Sequence, residues 1–147
     1  MDKINFGKID RFILFGGGRF LFYAAKKLQQ EHYDVIVFSS KRHLSQELEG
    51  KSFKKLLIES AIPYYESSDI NNDQKAFGHI SEHTIGLSLG AAWIFRESFI
   101  NRFNGRLLNM HATRLPQNRG GGGFSWQIMR KDKLGSSLIH QVDTGID

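Results

Sequence analysis

Residues 107–147 read LLNMHATRLPQNRGGGGFSWQIMRKDKLGSSLIHQVDTGID, and the rest of the chain is organised around them. The apolar pair Leu107-Leu108 runs straight into Asn109-Met110-His111, as a short strand would. Alternate residues of a strand share a face, so this strand should deliver the Asn109 amide and the His111 imidazole side by side. Pro116 and the glycines at 120–123 then mark a loop, followed by a helix starting near Phe124. Trp126 stands at helical spacing from Met129 and Arg130, which predicts a core-facing turn. A second strand over 137–142 leads into Asp143-Thr144-Gly145-Ile146-Asp147.

Upstream, strand-like and helix-like runs alternate. Residues 12–15 are a short apolar run bounded by glycine, as in a strand buried on both faces. Gly16-Gly17-Gly18 turn the chain into a stretch whose apolar positions 21, 24, 25 and 28 keep helical spacing. DVIVF at 34–38 is the next strand, and a leucine- and lysine-rich helix should follow, broken or kinked at Gly50. Residues 62–65 read as a third strand, which Pro63 places at a sheet edge or a strand start. Residues 71–79 fit a loop or a helix of one to two turns. Residues 85–90 form the fourth strand and end in glycine before Ala91-Ala92-Trp93-Ile94-Phe95. This alternation predicts an α/β fold with a doubly wound, mostly parallel, Rossmann-like sheet, and ligands at the strands' C-terminal ends.

The glycine turn admits two readings. It is a plain tight turn, or, with Gly17, Gly18 and Arg19 at a helix N-terminus, a contact for a substrate phosphate. GGGRFL is not G-x-G-x-x-G, because Leu21 stands where the last glycine would, so a nicotinamide oxidoreductase is disfavoured. At 147 residues one domain is expected. There are no cysteines, which excludes disulfides and thiol chemistry and suits a reducing cytoplasm. No apolar run approaches the ~20 residues of a membrane helix, and no histidine spacing suggests a metal site. The formal net charge is +5, with bases interrupted by acids. No basic block forms a nucleic-acid arm; the mild positive field suits an anionic small molecule, or is simply a solvated surface.

Asn109, His111 and a carboxylate after the last strand make a chemically coherent set. Acyl transfer to an amine needs an oxyanion donor, a titratable imidazole and a carboxylate that steers it or takes the amine proton. Asp143 and Asp147 compete for the last role. Asn109-x-His111, Leu115-Pro116 with Arg119-Gly120, and Gly145-Ile146-Asp147 resemble the folate-dependent formyltransferases. HATRLPQNRGGGGFSW, at 111–126, is most similar to the branch that formylates nucleotide-linked aminodeoxysugars for surface polysaccharide such as lipopolysaccharide O-antigen.

The resemblance implies that residues 1–147 are the N-terminal catalytic domain of such an enzyme, incomplete at its C-terminal side. It implies N10-formyltetrahydrofolate as co-substrate and Asn109, His111 and Asp147 as the catalytic trio. Leu89, Gly90, Ala91 and Ala92 are expected to cradle the pterin, while Trp93, Ile94, Phe95 and Phe99 are expected as a core helix face and its walls. Gly17, Gly18, Arg19, Arg114 and Arg119 are expected to meet the nucleotide-sugar. No metal, nucleic acid or membrane partner is expected, and a homo-oligomer is allowed. Methionyl-tRNA and glycinamide ribonucleotide are the rival acceptors, and an inactive folate- or nucleotide-binding chain is the rival class. Because the resemblance ends at Asp147, these 147 residues alone are expected to show little formyl transfer and to self-associate.

Overall fold

The apolar runs form the strands because both of their faces are covered. In a computed structural model, which describes residues 5–145, β1 (Arg11–Gly16) and β2 (Asp34–Ser39) alternate their side chains between two core clusters. Leu14, Val35 and Val37 point to one side, while Ile13, Phe15, Ile36 and Phe38 point to the other. Helix α1 (Gly18–Gln30) covers the first side, burying Leu21, Phe22 and Ala25. It is joined there by α2 (Lys41–Leu44), the hairpin β3 (Glu47–Leu48) and β4 (Lys51–Ser52), and α3 (Phe53–Glu59).

Strand β5 (Tyr64–Glu66), a 3-10 turn at Ile70–Asn72 and α4 (Gln74–His79) lead into β6 (Thr84–Leu89). The 3-10 turn, α4, α5 (Glu97–Ile100) and a second 3-10 turn at Asn101–Phe103 cover the other side. There Phe15 is fully buried, with Phe38, Phe95, Phe99 and Phe103 around it at ring-centroid separations of 5.4 to 6.0 Å. The chain continues through β7 (Leu107–His111), α6 (Gly123–Met129) and β8 (Leu138–Gln141).

The six-stranded sheet has the order β5-β2-β1-β6-β7-β8, parallel except for the antiparallel β8. It is the doubly wound sheet expected from the sequence, with its order reversing between β1 and β6. Ligands of such sheets bind at the carboxyl ends of the strands beside that reversal. Gly16 makes the junction possible: its φ is +133°, and a Cβ there would collide with the Leu89 carbonyl oxygen.

Three local expectations are corrected. The 44–57 stretch is not one kinked helix. Glu49 and Gly50 take φ of 54° and 78°, the left-handed pair that a two-residue hairpin turn wants, and they join β3 to β4. Residues 91–96 form a loop rather than a helix face. The buried Asn71 amide holds it, donating to the Ile94 carbonyl at 3.0 Å and accepting from the Arg96 N–H at 2.7 Å. Ile94 is therefore 90% exposed, while Phe99 alone of the expected set is fully buried. On α6, Trp126 and Met129 are 58% and 62% exposed instead of packing in the core. The buried stripe of that helix is Gly123 and Gln127, with Gly123 lying against Thr113 and Asn118.

Candidate active site

The carboxyl ends of β6 and β7 open into a cavity of about 590 Å³, within the size range of small-molecule sites. Its lining combines polar and apolar side chains. Asn109 and His111 share the face of β7 that also carries the buried Leu107, and both line the cavity. Gly90 and Ala91 line it too, as do Trp93, Phe95 and Val142, which add apolar surface.

Hydrogen bonds hold the polar side chains. The Nε2 of His111 lies 2.9 Å from the Asn118 carbonyl oxygen. A carbonyl only accepts, so in this contact Nε2 is the donor. The buried Thr113 hydroxyl donates to the same oxygen at 3.1 Å. The loop between β7 and α6, which includes a cis Leu115–Pro116 peptide, is thus anchored directly behind the imidazole. Asn109 pairs in register with His140 of β8, and its Nδ2 lies 3.2 Å from His140 Nε2.

His140 lines the cavity as well, and the sequence did not single it out. Its signal was faint: a histidine inside the strand-like 137–142 run, whose partner depends on the β7–β8 register. Trp93 and Phe95, expected both as walls and as core, line the cavity and pack against the core from the 91–96 loop. Asp143 lines the cavity too, with Oδ1 accepting from the Gly145 N–H at 2.6 Å.

The sequence-predicted residues do not all converge. Asn109, His111, Gly90 and Ala91 meet on the cavity wall. Leu89 is buried in the core, and Ala92 is exposed beside the wall. Gly17 packs on His43, Gly18 opens α1, and the exposed Arg19 lies 3.6 Å from Glu49, all at the C-terminal end of β1. Arg114 lines a separate recess, and Arg119 is exposed on the intervening loop. Asp147 lies outside the described residues. Among those described, no three His, Cys, Asp or Glu side chains are grouped to hold a metal ion. No helix among them is long and apolar enough to cross a membrane.

The cavity brings an amide, an imidazole, backbone and aromatic surface together at the carboxyl ends of a doubly wound sheet. Comparison with known proteins bears on the fold. No protein-family model matches the chain. It is 29% identical over 142 residues to a methionyl-tRNA formyltransferase of Rickettsia canadensis, covering 92% of this chain but 46% of that protein. The chain thus spans about half the length of such relatives.

Among solved structures, phosphoribosylglycinamide formyltransferase from Bacillus halodurans aligns with a TM-score of 0.69 and 18% identity, over 93% of this chain and 74% of that one. An N-formyltransferase from Helicobacter canadensis, in complex with folinic acid and dTDP-3-aminofucose, aligns with a TM-score of 0.68 and 19% identity. That alignment covers 94% of this chain and 48% of the other. The chain has the formyltransferase fold, and its relatives are formyltransferases that act on different amines.

Proposed function

We propose that residues 1–147 form the catalytic domain of a formyltransferase that carries a formyl group from N10-formyltetrahydrofolate to a primary amine. The observation that carries this reading is the adjacency of Asn109 and His111 on the cavity wall. The cavity fits the donor in kind: a flat pterin has Trp93, Phe95 and Val142 as apolar walls and the Gly90–Ala91 backbone for its polar edge. The donor supplies an activated formyl carbon, and this chain supplies position and charge.

Asn109 donates an N–H to the oxygen that becomes negative as the amine adds. His111, once it has received the proton that the attacking amine loses, stabilises the same oxygen as the imidazolium and gives that proton to the departing N10 nitrogen as the C–N10 bond breaks. Asp147 takes the proton that the attacking amine loses and returns it through the imidazole. That last role rests on the Gly145-Ile146-Asp147 resemblance. The acceptor we favour is the amine of a nucleotide-linked deoxysugar, supported by the 111–126 motif and by the Helicobacter canadensis neighbour, whose complex contains such a sugar.

Two measurements test this. Trp93 lines the cavity, so 5-formyltetrahydrofolate should quench its fluorescence saturably in a Trp126→Phe background. Turnover with aminosugar nucleotides, methionyl-tRNA and glycinamide ribonucleotide, expected to be slow in these 147 residues and therefore read by mass spectrometry at high enzyme concentration, then identifies the acceptor. Asn109→Ala and His111→Ala should each lower turnover by about 10²–10³ while leaving the quench intact. Absence of any saturable quench would refute the donor site. Undiminished turnover in either variant would refute the assigned chemistry.

A further inference from the structure

Behind the loop that anchors His111 lies a second recess, of about 450 Å³. One side is the 114–118 turn, closed by the Asn118 N–H bonding to the Arg114 carbonyl at 2.8 Å. The other side is the end of α6, where Lys131 takes φ of 56° and the Asp132 N–H returns to the Gln127 carbonyl at 3.0 Å. That left-handed turn brings Asp132 and Lys133 alongside Arg114 and Arg130. Three cations and one carboxylate therefore converge on one concavity. The carboxylate is already engaged, since Asp132 Oδ2 lies 3.1 Å from Arg130 Nη2. Among the described residues Arg114 and Lys133 form no ion pair.

Arg130 is held from two directions, because the same Nη2 donates to Asn118 Oδ1 at 2.7 Å. A guanidinium fixed in this way has its Nε and Nη1 donors pre-positioned at little entropic cost. Asn118 also reaches the other cavity, through the carbonyl that accepts from His111 Nε2. One residue thus joins the basic recess to the imidazole: its side chain faces the cations and its backbone faces the candidate site.

We infer that this recess is an anion subsite that takes phosphate groups of the amine-bearing acceptor. Capture of the anion draws on Arg130, fixes Asn118, and thereby fixes the His111 ring. Assigning the anion to the acceptor rests on the formyltransferase reading; the anion site itself does not.

The test is a titration of the whole chain with inorganic pyrophosphate, followed by calorimetry and by the His111 imidazole resonances. Saturable binding that weakens as salt rises is expected, with the His111 resonances moving at saturation. Arg114→Ala/Lys133→Ala should weaken binding at least tenfold and abolish the movement, while Arg19→Ala changes neither. Circular dichroism confirms that both variants fold. No saturable binding, binding undiminished in the double variant, or loss through Arg19→Ala instead would each overturn the subsite. Quenching of Trp93 by the folate in the same samples reads the donor site separately, so the two proposals fail independently.

Discussion

Asn109 does not set its own orientation. The Nδ1 of His140 lies 3.0 Å from the Gln141 carbonyl oxygen, which can only accept, so Nδ1 is the protonated nitrogen. In the neutral ring Nε2 is then an acceptor, facing the Asn109 amide nitrogen at 3.2 Å. One amide N–H is spent on His140, and the other is aimed by it. His140→Phe keeps the ring volume and removes the acceptor, so kcat for formyl transfer should fall by up to about tenfold, the worth of one net hydrogen bond. His140→Gln keeps an acceptor and should recover most of that loss, with KM for the donor unchanged in both. Equal kcat in the two variants would exclude the orienting role. Elsewhere the residue scale is governed by space. A Cβ on Gly86 would lie 2.7 Å from both Leu107 and Phe103 side-chain atoms, so Gly86→Ala should cost about 1–3 kcal/mol in urea unfolding. Gly16→Ala should cost more, because it meets the Leu89 backbone and also strains φ.

Between elements, the contact of α1 with α2 is closed by Gly17 against His43, where an added Cβ would sit 2.5 Å from the histidine's own Cβ. Burial, and secondarily the neighbouring Arg42, push the His43 pKa below the ordinary histidine value. The fold therefore favours neutral His43, and the unfolded chain takes up the proton first as pH falls. The associated stability is present above the ordinary value near ~6.5 and is lost as pH drops through it toward the folded value. His43→Gln should thus flatten the decline in urea midpoint between pH 7 and pH 5; an unchanged slope would contradict this. What the sequence revealed of such elements follows from physics. The strands β1, β2 and β6 were legible because runs buried on both faces are apolar and bounded by glycine or polar residues. The α2–β3–β4 segment was not, since elements of two to four residues are too short to express a period. Helix α6 was misread because its buried stripe is Gly123 and Gln127, which no hydrophobic pattern reports. The Asn109 and His111 pair was legible from strand alternation alone. Its partner His140 was not, because strand register is a tertiary choice.

Across the whole molecule the covering of the sheet is uneven. Strands β2, β1 and β6 are packed on both faces, whereas among the described residues β8 ends the sheet as an edge strand with Ile139 exposed. Nearby in sequence, α6 exposes Phe124, Trp126, Ile128 and Met129, and Leu134 follows, also exposed. Scattered apolar residues on a surface are ordinary, but a run of large ones and an open strand edge each favour association. The net charge of +5 opposes this through repulsion, which salt screens. These 147 residues should therefore self-associate at micromolar concentrations, and more so as salt rises, the opposite of the salt effect expected for pyrophosphate binding. Phe124→Ser, Ile128→Ser and Met129→Lys remove exposed side chains that contribute little to the core, so the triple variant should be monomeric with its thermal midpoint nearly unchanged. Light scattering against concentration and salt decides the matter: a monodisperse monomer in the unsubstituted chain, or association that survives in the triple variant, would show that this surface does not drive it.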